Sequence, residues 1–176
     1  MPPRTEPSLG NAQDIASRVH ALLLERLQQA RGLTVATAES CTGGNVAARL
    51  TANAGSSDYF LGGIVAYSNE AKATLLHVTR DTLETRGAVS AECAREMAAG
   101  ARQAFAADFA VSTTGIAGPG GATARKPVGL VYIALATADE VTAEEFHFPG
   151  GRALVTDAAT EAALLMLLRG IEARLP

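Results

Sequence analysis

The chain has 176 residues, a net charge of −3, 48% hydrophobic and only 5% aromatic residues. That is the length of one domain with a sizeable core, and the core must be built from aliphatic side chains and alanine. With no run of 18 uncharged apolar residues, no Lys/Arg cluster, two cysteines and three scattered histidines, the composition excludes a membrane-spanning helix, a basic nucleic-acid footprint, a disulfide framework and a zinc-type cluster.

Residues 1–11 are polar, carry Pro2, Pro3 and Pro7, and lack the apolar stretch of a signal peptide; they read as a disordered leader on a cytoplasmic protein, with one domain over 12–176. Asp14 to Gln29 has helical spacing, with Ile15, Val19, Leu22, Leu23, Leu27 and Ala30 on one face, and stops at Arg31-Gly32. Leu33 to Ala38 reads as a short strand, Gly43 to Leu50 as a helix opened by two glycines, Tyr59 to Tyr67 as a strand and Asn69 to His77 as a helix. Asp81 to Thr85 forms a helical turn. Ser90 caps a helix in which Cys93, Met97, Ala101 and Phe105 recur every four residues. Ala110 to Thr114 is a strand running into the glycine-rich loop 115–121. Val128 to Thr137 and Val141 to Phe148 form an antiparallel pair, and Arg152 to Arg174 a long helix with Val155, Ala159, Ala162, Leu165, Met166 and Leu168 inward. Helices alternating with strands early and a hairpin late predict a three-layer α/β/α single domain on a mixed β-sheet.

Three strand-end loops hold residues capable of chemistry, at the place where α/β proteins seat ligands. Glu39-Ser40-Cys41-Thr42-Gly43-Gly44 sets a hydroxyl beside a thiol, with glycine amides at a helix start that suit an anion or oxyanion, or equally a plain helix cap over a buried cysteine. It is not a phosphate-binding P-loop, because no Gly-Lys-Ser/Thr follows. Tyr67 and Lys72, five apart across a strand-to-helix junction, can face one cleft; without a three-glycine dinucleotide turn they do not make a reductase. Thr114-Gly115-Ile116-Ala117-Gly118-Pro119 lets backbone approach a ligand closely.

Thirteen of the 15 basic residues are Arg, leaving only Lys72 and Lys126. Arg cannot release its proton, so a retained Lys is a place to look for acid–base work. His20 lies in the first helix and His147 between Phe146 and Phe148, packing positions rather than catalytic ones. If Ser40 is a nucleophile, Lys72 is then the natural base, since burial can lower a Lys pKa, and Tyr67 can relay the proton or orient the pair.

Taken together, Thr37-Ala38-Glu39-Ser40-Cys41-Thr42-Gly43-Gly44, Tyr67-Ser68-Asn69 with Lys72, Gly87-Ala88-Val89-Ser90, Thr114 to Pro119, Lys126-Pro127-Val128-Gly129 and Phe148-Pro149-Gly150 with Arg152 resemble the CinA C-terminal domain, also known as PncC, the nicotinamide-nucleotide amidohydrolases. The resemblance runs from about Ile15 to the end and is of the stand-alone form. It implies cofactor-free and metal-independent hydrolysis of the carboxamide of nicotinamide mononucleotide to nicotinate mononucleotide and ammonia, in pyridine-nucleotide recycling. It places the nucleophile on Ser40 with Tyr67 and Lys72 as partners, and Thr114 and Gly115 beside the nucleotide. It puts the phosphate on Arg152. For acyl transfer by Ser40, the expected oxyanion donors are backbone amides around Cys41, Thr42, Gly43 and Gly44 or near Thr114. The expected partner is this small molecule, with no nucleic acid or membrane, and the expected assembly a homo-oligomer. Two positions depart from the pattern: Thr123-Ala124-Arg125-Lys126 replaces Thr-Pro-Glu-Lys, and Thr156 stands where a second Arg is usual. Two rival readings are a cysteine hydrolase using Cys41 and a non-catalytic nucleotide- or partner-binding module linked to competence and DNA damage.

Overall fold

The computed structural model describes residues 12–28 and 32–174, with side chains from 15–25 and 32–174. The leader over 1–11, the stop at Arg31, Ala30 and the side chain of Leu27 lie outside the described residues. Among the described residues five α-helices, α1 (Ala12–Gln28), α2 (Asn45–Thr51), α3 (Asn69–Leu76), α4 (Ala91–Phe105) and α5 (Arg152–Glu172), and two short helices, Ser56–Asp58 and Thr82–Arg86, pack around strands β1 (Val35–Glu39), β2 (Phe60–Val65), β3 (Phe109–Gly115), β4 (Leu130–Ala136) and β5 (Val141–His147). The sheet order is β2-β1-β3-β4-β5. β1 pairs in parallel with β2 and β3; β3–β4 and β4–β5 are antiparallel. The expected three-layer fold on a mixed sheet is what forms.

β1 is buried along its whole length because helices cover both faces of the sheet. One face carries the larger side chains. Val35, Phe109, Val111, Val131 and Ile133 meet Val19 and Leu23 of α1, Leu50 of α2 and Leu164 and Leu167 of α5. On the other face Ala36, Ala38 and Ala110 meet Leu76 and Met97, and Ala134 and Ala136 meet Ala94 and Ala98 of α4. This is where the alanine-rich composition acts: small side chains let α4 lie close to the sheet. The same helix approaches α3 so closely that a Cβ on Gly100 would fall 2.0 Å from the Leu76 carbonyl oxygen.

Two expectations shift. Ala162 and Leu165 of α5 are only half-buried, while Ala163, Leu164, Leu167 and Ile171 are buried. The helix sits on the sheet with α1 and α2 alongside, so its apolar arc is wider than one stripe. The helix expected from Gly43 starts at Asn45, because Gly43 (φ 63°) and Gly44 (φ 102°) turn the chain through left-handed conformations first. Ser90 does cap α4, its hydroxyl accepting from the Cys93 amide at 3.2 Å. Among the described residues no helix is long and apolar enough to cross a membrane.

Candidate functional site

Parallel β1, β2 and β3 end at the same edge of the sheet, and the singled-out loops meet there. Ser40 follows β1 directly; its amide donates to the Thr113 carbonyl at 3.0 Å. After β2 the chain turns through Ala66 and Tyr67 into α3, where Ser68 caps the helix by accepting from the Ala71 amide at 3.0 Å. That cap puts Lys72 in the first turn with its side chain directed inward.

Lys72 is 2% exposed and Ser40 8%. The Lys72 Nζ lies 3.0 Å from Ser40 Oγ and donates to the Ala66 carbonyl at 2.8 Å. Burial holds the Lys72 pKa below the usual lysine value. The nearby Cys93 and Cys41 work in the opposite direction, so burial is the cause. Both thiols are pushed up to about 11, chiefly by burial, so near neutral pH they stay protonated. A lowered amine 3.0 Å from a hydroxyl, at the floor of a cavity, is the geometry of a nucleophile and its base.

The turn holding Ser40 is made rigid by Glu39. Its buried carboxylate accepts from the Thr42 hydroxyl at 2.6 Å and from the amides of Gly44 (2.9 Å), Val46 (3.0 Å) and Ala47 (2.8 Å). These are donors that the start of α2 would otherwise leave unpaired. Thr42 also bonds Thr113 Oγ1 at 2.7 Å, and the Gly43 amide donates to the Ser40 carbonyl at 3.1 Å. Thr42, Gly43 and Gly44 thus serve the turn itself, and none of the three lines the cavity. The role of Glu39 was not read from the sequence. Its signal is an acid set just before a Thr-Gly-Gly helix start, where free N–H groups call for an anion. Glu39→Gln turns an NH2 toward some of those donors and is expected to cost about 2–3 kcal/mol in urea unfolding.

Ser40, Cys41, Tyr67, Lys72, Thr114, Gly115 and Arg152 do share one cavity of about 380 Å³, together with the loop over 116–121, Ala88, Val89 and Lys126. Tyr67 is 62% exposed and its hydroxyl accepts from Arg152 Nη1 at 3.1 Å. The relay expected through Tyr67 has no gap to bridge, since Lys72 meets Ser40 directly; Tyr67 stands at the mouth with Arg152. The Thr114 hydroxyl, expected beside the ligand, donates to the Ala88 carbonyl at 2.7 Å. Thr156 donates to the Cys41 carbonyl at 3.4 Å, tying α5 to the Ser40 turn. Lys72, Lys126 and Arg152 line the cavity and, among the described residues, no carboxylate does, although the chain is acidic overall. His20 bonds the Tyr59 hydroxyl at 3.0 Å and His147 bonds Glu145 at 2.8 Å, both outside this cavity.

Fold and site together define a three-layer α/β domain with a buried serine–lysine pair at the carboxyl ends of its parallel strands, under a cationic cavity. The chain belongs to the CinA C-terminal domain family, whose model matches residues 16–171. It is 52% identical over 163 residues, 91% of its length, to a CinA-like protein of Thermosynechococcus vestitus, and covers 38% of that protein; the chain spans about a third of the length of the curated relatives it matches. Its fold is similar to the competence damage-inducible protein A of Klebsiella pneumoniae (TM-score 0.87, 33% identity, covering 94% of this chain and 100% of that one). It is also similar to the competence/damage inducible protein CihA of Agrobacterium tumefaciens (TM-score 0.84, 41% identity, covering 96% and 99%).

Proposed function

We propose that this domain hydrolyses the carboxamide of nicotinamide mononucleotide, releasing ammonia and nicotinate mononucleotide. The observation that carries the reading is the 3.0 Å contact between Ser40 Oγ and the buried Lys72 Nζ. Neutral Lys72 takes the Ser40 proton as Oγ attacks the carboxamide carbon, and the carbonyl π pair moves onto oxygen. The tetrahedral species collapses, the C–N bond breaks, and the Lys72 proton leaves with the nitrogen as ammonia. Lys72, neutral again, then takes a proton from water as its oxygen attacks the acyl–Oγ ester. Collapse returns the Lys72 proton to Ser40 and frees the carboxylic acid, whose proton passes to the released ammonia to give the carboxylate and ammonium. Every proton lost by one group is gained by another, and protein side chains supply the nucleophile and the base.

An anionic substrate suits the cavity's charge. Arg152 sits at the mouth, where it donates to the Tyr67 hydroxyl, and its planar fork matches a phosphate. Arg152→Gln is expected to raise KM for the mononucleotide about 10- to 100-fold while leaving the riboside, which has no phosphate, within about twofold. Steady-state kinetics on the two substrates reads that difference. The reading as a whole is tested by ammonia release from nicotinamide, its riboside, its mononucleotide and the dinucleotide. Turnover fastest on the mononucleotide is the expected result; nucleotide binding by calorimetry with no product would favour a non-catalytic binding module.

A further inference from the structure

Lys126 is the second of the two lysines, and the proposed chemistry does not use it. Its side chain reaches from the loop after β3 to the end of a short helix, Thr82–Arg86, and the turn that leads from it into α4. There Nζ donates to the carbonyl oxygens of Arg86 and Val89, each at 2.7 Å. The two carbonyls between them are also held by side chains: Ser90 Oγ donates to Gly87 O at 2.8 Å and Thr114 Oγ1 to Ala88 O at 2.7 Å. Four consecutive carbonyls, where a short helix ends and turns toward α4, each receive a side-chain donor. This stretch is a wall of the cavity, since Ala88 and Val89 line it with Ser40 and Lys72.

We infer that Lys126 is a positioning residue, whose ammonium clamps residues 86–89 as the rigid wall against which the substrate is seated. The inference rests on the amide-hydrolysis reading of the cavity. A compact tetrahedral ammonium suits the job in a way a guanidinium does not. Nζ brings two carbonyl bonds of 2.7 Å onto a single atom, beside Gly87 (φ 82°) where a Cβ would lie 3.1 Å from it, whereas a guanidinium has to spread the two bonds over separate nitrogens of a planar fork. That gives a reason for Lys at position 126 in a chain with 13 Arg and two Lys. Lys126 contacts neither Ser40 nor Lys72 in the hydrogen-bond network, so its loss weakens seating of the substrate and leaves the chemical step in place.

The test uses Lys126→Met, which keeps the chain length without the donors, and Lys126→Arg, which keeps the charge without the fit. Both are read by kcat and KM for nicotinamide mononucleotide and by amide exchange along the chain. The expected result is a KM raised about tenfold or more in both variants with kcat within about threefold. Exchange should quicken over 82–90 while the rest of the chain keeps wild-type protection. Unchanged exchange, or faster exchange with an unchanged KM, overturns the inference. A wild-type KM in Lys126→Arg also overturns it, since charge alone would then suffice. A wild-type protein that releases no ammonia sinks the functional reading and the seating claim with it. Normal wild-type turnover with indifferent variants sinks the inference alone.

Discussion

Ser40→Ala is expected to lower ammonia release from nicotinamide mononucleotide by about 10⁴-fold or more, with KM little changed. Loss of a nucleophile removes the covalent route altogether and leaves only what binding and polar groups contribute. The reason to place the nucleophile on Ser40 rather than on the adjacent thiol is geometric and electrostatic. Lys72 Nζ meets the Ser40 hydroxyl, while burial pushes Cys41 up to about 11, so near neutral pH the thiol is protonated and its thiolate scarce. Cys41→Ser is therefore expected to keep activity within about tenfold of wild type. Mass spectrometry of a rapidly quenched reaction should find the acyl adduct on the peptide containing Ser40 and no adduct in Ser40→Ala. Near-normal turnover by Ser40→Ala would end the mechanism, and a dead Cys41→Ser beside an active Ser40→Ala would hand it to the thiol. Folding is not at issue in this comparison. The turn is held by Glu39 through Thr42, Gly44, Val46 and Ala47, and the Ser40 hydroxyl takes no part in that network.

How much of this could be read in advance depends on the range of the interaction concerned. The layer order followed from local signals: β-rich runs, helical spacing and a serine cap at Ser90, each determined within a few residues. The Ser40–Lys72 pairing was reachable because both residues follow strand ends, where parallel topology gathers side chains, and because lysine is scarce in this chain. What stayed hidden is what depends on several distant segments at once. Glu39 looks like an ordinary strand-end acid until the α2 amides close around it. Lys126 gains its meaning only when the 86–89 segment lies beneath it. Tyr67 was legible as a site residue but not as a partner of Arg152, 85 positions away. The wide buried arc of α5 likewise reflects α1 and α2 at its flanks, which no periodicity within α5 encodes.

Lys72→Met is expected to lower kcat by about 10³-fold or more, within the range a positioned general base supplies. Lys72→Arg should do no better, because a guanidinium keeps its proton at any working pH. The pH dependence separates a base from a merely structural amine. A general base must be neutral to act, so kcat/KM should rise with pH through the free-enzyme pKa of Lys72. Burial sets that pKa below the ordinary lysine value of 10.5. An activity that climbs only near 10.5, or one whose ascending limb survives in Lys72→Met, would remove Lys72 from the role. Stability carries the same signature with a definite sign. The unfolded chain holds the Lys72 proton up to that ordinary value, whereas the folded chain gives it up earlier. Between the folded and unfolded values the unfolded state binds more protons, and stability rises with pH. Cys41 and Cys93, raised from 9.0 to about 11, act in the opposite sense, since the unfolded thiols ionise first and favour unfolding as pH rises above 9.0. Both thiols remain in Lys72→Met, so the difference in urea stability between wild type and variant largely cancels them. That difference should tilt toward wild type as pH increases. Its slope, not its level, is the readout, because removing Nζ also strips the Ala66 carbonyl of its donor. A flat difference would mean that Lys72 keeps its proton in the folded protein as readily as in the unfolded one, and a lysine of that kind cannot take a proton from Ser40 at neutral pH.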